Sequence, residues 1–242
     1  LVLRGERVGS LNQGSADPRH FAPDAATDLL EHLAAVTAIC IDNSVNRARL
    51  QRDGLTDMLT QVANRRLFDR RLHEEVSQWL RRGGELSCLL VDLDCFKQIN
   101  DQHGHQAGDL VLKEVARVLS KELRTSDVLA RYGGEEFVLL LPATGSQRAA
   151  EIAERLRVAV ASLALTPTRG VSLRVTASFG MANLAVEQRA TLEDPGLWLL
   201  RQADLALYAA KACGRNCVMA ADSSGNDAAQ SPSADPFTPG ER

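Results

Sequence analysis

The stretch Arg131-Tyr132-Gly133-Gly134-Glu135-Glu136-Phe137 holds the chain's most chemically suggestive spacing. Apolar segments flank it, Val128 to Ala130 before and Phe137 to Leu141 after. Paired glycines between strand-like runs read as a tight hairpin, since glycine adopts the positive φ that such turns use. The turn would place Glu135 and Glu136 at a hairpin tip. Charges that discourage edge pairing are one account of such a tip. A second acidic tip favours another. Leu86 to Val91 is an almost continuous apolar run, the pattern of a buried central strand, and it ends on Asp92 with Asp94 two residues on. If Asp92 and Glu135 end adjacent strands, carboxylates converge, and like charges that close are costly unless protonated or bridged by a metal. Magnesium suits such a site, taking one or two carboxylates and completing its shell with water and substrate phosphates. Zinc does not: His103 and His105 are two apart, and the five cysteines form no Cys-x-x-Cys pair.

Other motifs stand in order along the chain. Leu55-Thr56-Asp57-Met58-Leu59-Thr60 is followed by Asn64-Arg65-Arg66, and Asp92-Leu93-Asp94-Cys95-Phe96-Lys97-Gln98-Ile99-Asn100-Asp101 by Gly104-His105-Gln106-Ala107-Gly108-Asp109. After the Gly-Gly-Glu-Glu-Phe hairpin comes Tyr208-Ala209-Ala210-Lys211-Ala212-Cys213-Gly214-Arg215-Asn216. With these motifs, residues from about Leu55 to Val218 resemble a GGDEF domain, the catalytic module of diguanylate cyclases. One departure is Gln61, where the family usually has glycine.

The resemblance implies an α/β fold shared with nucleotidyl cyclases and polymerase palms, a mixed and largely antiparallel sheet surrounded by helices. It implies that Asp92 and Glu135 bind Mg²⁺, with Mn²⁺ as the alternative ion and the Leu93 carbonyl as a further ligand. Glu135 or Glu136 would help deprotonate a ribose 3′-hydroxyl. Lys97, Lys211 and Arg215 would meet a GTP triphosphate, assisted by backbone N–H groups near Phe96, while Asp94 would orient Lys97 or its loop. Charge at a helix C-terminus is the plainer role for Lys211 and Arg215. Asn100 and Asp109 would read guanine, and His105 would line the base pocket or order its loop. Arg124 and Asp127 match the family's product-inhibition site, with Arg155 as a secondary arginine. The implied reaction joins two GTP into cyclic di-GMP with loss of pyrophosphate, across a homodimer in which each domain holds one GTP. The rival reading is a catalytically silent module that senses GTP or cyclic di-GMP.

Periodicity supplies the elements that must position these groups. Helices are expected over 65–82, with Phe68, Leu72, Val76 and Trp79 on one face, and over 109–123, with Leu112, Val115, Leu119 and Leu123 inward. Another spans 146–162, capped by Ser146, and a last one starts near Pro195 and closes at Gly214. Alternation from Val171 to Phe179 predicts one half-buried strand. Upstream, residues 1–23 read as the end of a GAF-like sensory domain. Residues 24–54 read as a signalling helix in which Leu29, Leu33, Val36 and Cys40 step by four, three and four. The catalytic domain covers 55–220, and the polar tail 221–242 should be disordered. A chain of 242 residues with 45% hydrophobic content suits a folded domain with part of a second. Net charge of -3 argues against a nucleic-acid-binding module. No apolar run is long enough for a membrane span, and an odd number of scattered cysteines, five, points to reduced thiols in the cytoplasm.

Overall fold

The computed structural model describes residues 2–3, 6–7, 32–41, 54–168 and 171–221. A short antiparallel pair, β1 (Val2–Leu3) with β2 (Glu6–Arg7), precedes helix α1 over 32–41. Then come β3 (Ala63–Asn64), α2 (Arg65–Arg82), β4 (Leu86–Leu93), α3 (Phe96–His103) and α4 (His105–Lys121). The hairpin strands β5 (Val128–Arg131) and β6 (Glu136–Pro142) lead to α5 (Ser146–Ala161). The chain closes with β7 (Leu165–Thr168), β8 (Val171–Leu173), β9 (Ala177–Leu184), α6 (Pro195–Ala212) and β10 (Val218–Ala220). Apart from β1, β2 and α1, the expected upstream remnant and signalling helix fall outside the described residues, as does the tail beyond Ala221.

Six strands form the main sheet in the order β10-β9-β4-β6-β5-β3. Its centre is antiparallel, and each edge strand joins in parallel. β4 is buried along its whole length because helices cover both faces, which is why it reads as an unbroken apolar run. Leu89, Val91 and Leu93 point to one core with Val111, Val115, Leu119, Ile152 and Leu156 of α4 and α5. Cys88 and Leu90 point to the other, with Phe68, Leu72 and Trp79 of α2 and Leu199, Ala203 and Leu207 of α6. Phe137, Leu139 and Leu141 on β6 are fully buried, and each such side chain contributes roughly 1.5–3 kcal/mol. The sheet's central ends are therefore fixed points.

The helix over 65–82 forms as its periodicity predicts. The Asn64 side chain accepts the Leu67 N–H at 3.0 Å, and Gly83 closes the helix at φ 76°. α6 likewise begins with Asp194 accepting the Leu197 N–H at 2.9 Å and Pro195 in its first turn. Other expectations are corrected. Ser146 opens α5 but does not cap it: Gly145 holds the cap position and supplies no side chain. The helix expected from Asp109 begins four residues earlier, at His105, and a separate short helix α3 precedes it, joined at Gly104 with φ 80°. The strand expected over 171–179 is broken. Val171–Leu173 pairs with β7 in a hairpin of its own, and Ala177–Leu184 is a central strand buried on both faces. Among the described residues no helix is long and apolar enough to cross a membrane.

Candidate active site

β4 and β6 lie side by side, and Asp92 stands directly opposite Glu136 in their register. The hairpin closes through the Tyr132 and Gly133 N–H groups, which donate to the Glu136 carbonyl at 2.8 and 3.3 Å. Its tip is tied to the end of β4, where the Leu93 N–H donates to the Glu135 carbonyl at 3.3 Å. Neither hairpin glycine uses a positive φ, so the conformational reason expected for the pair does not apply. Space asks little more: a Cβ on Gly133 would lie 2.4 Å from Glu136 Oε2, the mobile end of a side chain that can swing aside, and one on Gly134 would meet nothing within 4 Å. The Arg131 guanidinium holds the tip from outside, donating to the Gly134 carbonyl from Nη2 at 2.6 Å and to Asp57 Oδ1 from Nη1 at 3.2 Å.

The electrostatics follow from this convergence. Asp92 is only 7% exposed, and Lys211 Nζ lies 2.8 Å from its Oδ2. Burial first, and then the Asp92 charge, push the Glu135 carboxyl above the usual carboxylate range, against the pull of Lys211. Glu136 is raised for the same leading reasons, with Asp204 adding to the effect and Lys211 and Arg65 opposing it. Lys211 and Arg65 offset only part of the negative charge of these three acids, and the remainder fits a hard divalent cation with oxygen ligands. Among the described residues no group of three or more His, Cys, Asp or Glu gathers as a metal cage. The carboxylates here could supply only part of a coordination shell, the pattern of an ion that also takes water and phosphate oxygens.

Next to the acids lies a site suited to an anion. Phe96 and Lys97 open α3, whose cap residue Cys95 makes no side-chain capping bond, so the first N–H groups of the helix are left for a ligand. Phe96 is buried and Lys97 exposed. Lys211 ends α6 and Arg215 follows in the loop after it, exposed, with φ 66°. Asn100 on α3 meets the start of α4, where a Cβ on Gly108 would lie 2.0 Å from Asn100 Oδ1. Asn100 therefore stands beside the turn that carries Asp109, which is exposed. Asp109 is the fifth residue of α4, past the first turn, so a helix-dipole role does not account for it. His105 is the first residue of that helix and is exposed.

The residues matched to product inhibition gather elsewhere. Asp127 Oδ2 accepts the Arg124 N–H at 2.9 Å, which folds the turn before β5. Arg155 on α5 reaches the same surface, its Nε 2.8 Å from Glu122 Oε2 and its Nη2 donating to the Glu122 carbonyl at 2.9 Å. β5 separates this surface from the hairpin by roughly 13 Å, at about 3.3 Å per residue. Sequence reasoning missed Asp57, Arg131, Thr176 and Ser178 as site-supporting residues. Asp57 and Arg131 sit inside recognisable motifs, whereas Thr176 and Ser178 looked like the outward side of a half-buried strand.

A mixed sheet that brings acidic side chains together at its central strand ends, beside a free helix N-terminus and the cations Lys97, Lys211 and Arg215, defines an α/β domain suited to polyphosphate chemistry. The sequence profile described as "Diguanylate cyclase, GGDEF domain" matches residues 54–217, and the chain belongs to that family. It is 44% identical over 162 residues to diguanylate cyclase DgcP of Pseudomonas aeruginosa, covering 67% of this chain and 23% of that one. It is 34% identical over 223 residues to diguanylate cyclase A of Treponema denticola, covering 90% of this chain and 57% of that one. Both relatives therefore extend well beyond the aligned region. Among solved structures, the coiled coil and GGDEF domain of DgcB from Caulobacter crescentus, in complex with c-di-GMP, superposes with TM-score 0.72. It is 34% identical, and the match covers 80% of this chain and 99% of that one.

Proposed function

We propose that this chain is a diguanylate cyclase, joining two GTP into cyclic di-GMP with release of two pyrophosphates. The observation that carries the reading is the intact acidic hairpin, with Glu136 opposite Asp92 and the Glu135 carbonyl bound to Leu93. Its similarity to the diguanylate cyclases of Pseudomonas aeruginosa and Treponema denticola supports it. Asp92, Glu135 and the Leu93 carbonyl would hold Mg²⁺, or Mn²⁺ in its place. When bound, such an ion neutralises phosphate charge and orients the groups to be joined. Lys97, Arg215 and the α3 N–H groups near Phe96 bind the triphosphate, and Lys211 shares its charge between Asp92 and the phosphates. Asp109 accepts from the guanine N1–H and 2-amino groups, which adenine lacks, with Asn100 and His105 lining the same pocket. Each 3′-hydroxyl attacks the α-phosphate of the other GTP, and its proton passes to Glu135 or Glu136. A carboxylate held by Mg²⁺ is the weaker base of the two, because the ion favours its charged form.

One GTP per domain makes the working unit a homodimer. Cyclic di-GMP held by Arg124 and Asp127, with Arg155, would restrain the domains in an unproductive pose. We read residues 1–23 as the end of a GAF-like sensory domain, 24–54 as the helix that transmits its state, and the setting as cytoplasmic.

The test is incubation of the purified chain with Mg²⁺ and GTP, following cyclic di-GMP and pyrophosphate. Asp92→Asn and Glu135→Gln should each lower turnover by about 10²-fold or more while the thermal midpoint stays near that of wild type. GTP binding without turnover by the wild type would instead establish the silent module.

A further inference from the structure

Asp94 lies two residues from Asp92, yet its carboxylate is engaged elsewhere. It is buried at 8% exposure. Neutral donors hold it. Ser178 Oγ donates to Oδ1 at 2.7 Å, while Thr176 Oγ1 and the Asn216 N–H donate to Oδ2 at 2.7 and 3.0 Å. The Asp94 N–H also donates to the Thr176 carbonyl at 2.9 Å. These bonds join the end of β4, the entry to β9 and the loop 214–217 after α6.

That loop needs a clamp. Arg215 and Asn216 adopt φ of 66° and 46°, a left-handed conformation that costs a side-chain-bearing residue roughly 1–2 kcal/mol. Strained residues persist only where their surroundings over-determine them. Here the Arg215 N–H donates to the Ala210 carbonyl at 3.1 Å, and Asn216 Oδ1 accepts from Arg157 Nη1 at 2.8 Å. Cys217 anchors the end of the loop, its carbonyl accepting the Phe179 N–H at 2.9 Å and its Sγ donating to the Ala210 carbonyl at 3.4 Å. The backbone between is held by Asp94 on the Asn216 N–H, and that bond is charge-assisted.

We infer that Asp94 is a positioning residue for the triphosphate and not a metal ligand, fixing loop 214–217 so that Arg215 faces the phosphates. The inference rests on the proposed role of Arg215 in phosphate binding. Asp94→Asn keeps the shape but removes the charge that strengthens these bonds, and its NH₂ group forces the Thr176 or Ser178 hydroxyl to reverse and accept, or deprives the Asn216 N–H of its acceptor.

Steady-state kinetics of the full chain test it. Asp94→Asn should raise KM for GTP about tenfold and lower kcat less than about threefold, leaving the half-saturating Mg²⁺ concentration within about twofold. In an Arg215→Ala background the same change should add no more than about twofold to KM, because the effect runs through that arginine. A collapse of kcat with a raised Mg²⁺ requirement, or an effect fully additive with Arg215→Ala, would overturn the inference. Should Asp94→Asn lose its fold, Thr176→Val removes one donor only and should raise KM about threefold with kcat and Mg²⁺ dependence unchanged. An unchanged KM there overturns the clamp. A wild type that makes cyclic di-GMP normally beside an Asp94→Asn variant of unaltered KM defeats this inference alone. A wild type that neither binds nor turns over GTP defeats the proposed function and this inference with it.

Discussion

Gln61 occupies a left-handed backbone position, φ 60°, where the family usually has glycine. The turn around it is otherwise well tied: the Thr60 N–H and hydroxyl both donate to Asp57 Oδ1, and the Gln61 N–H donates to the Asp57 carbonyl at 2.8 Å. The left-handed cost of roughly 1–2 kcal/mol exceeds glycine's extra entropy loss of roughly 0.5–1 kcal/mol. Gln61→Gly should therefore raise stability by about 0.5–1 kcal/mol, read as a higher urea midpoint at unchanged slope. A lower midpoint would show that the Gln61 bond to the Met58 carbonyl, 2.8 Å long, outweighs the strain. Asp57 itself predicts a pH dependence. Burial works to raise its carboxyl, but the Thr60 bonds and the Arg131 charge win and hold it below the ordinary value of 3.8. Depressed in the folded state, it contributes stability fully above the ordinary value and loses it as pH falls through the folded one. The stability gap between wild type and Asp57→Asn should thus be constant near neutrality and narrow below about pH 4. A gap that stays constant down to pH 3 would mean that the Arg131 contact carries no linked charge. At this scale the acids were legible, because strand-end carboxylates announce themselves. Lys211 on Asp92 was not, since 119 residues separate the pair and only the fold joins them.

Among the elements, the strands that read clearly are those whose neighbours behave generically. β4 looked buried because it is buried, and the hairpin was visible from its glycines even though their φ values are ordinary. The region 171–184 read wrongly for a physical reason. Its Ser and Thr side chains mimic a solvated face, but Ser178 is fully buried and bonded to Asp94. Small residues make the rest of β9 look weak as a strand, and tertiary contact explains them. α6 lies so close that a Cβ on Gly180 would stand 2.1 Å from the Leu207 N and 2.2 Å from the Ala203 carbonyl oxygen. Both obstacles are backbone, so a rotamer change gives no relief. Gly180→Ala should destabilise the domain by about 2–3 kcal/mol through overpacking, lowering the thermal midpoint by roughly 4–12 °C. Because α6 carries Lys211, turnover at permissive temperature should fall as well. Wild-type stability and turnover in this variant would show that α6 moves away from the sheet at little cost.

On the scale of the whole molecule, one domain supplies a single set of the proposed phosphate and guanine contacts, while the proposed reaction needs two nucleotides facing each other. The described part of the upstream helix offers a means of pairing. Leu33, Val36, Ile39 and Ile41 are 51%, 56%, 51% and 45% exposed on α1, with Leu33, Val36 and Cys40 at the four-and-three spacing of a coiled-coil seam. Apolar side chains on two copies of that seam would bury one another, and the catalytic domains following Gly54 would be brought together at high effective concentration. Activity should then depend on protein concentration in a way the helix controls. In Leu33→Glu/Val36→Glu, like charges meet along the seam, and the residues are exposed enough that the catalytic domain keeps its own fold. Sedimentation should show weaker self-association, and specific activity at low protein concentration should fall about tenfold, recovering as concentration rises and mass action restores the pair. The thermal midpoint of the catalytic domain should not move. If the double variant self-associates normally, or if monomers keep full specific activity at every dilution, then α1 is not what brings two nucleotides face to face.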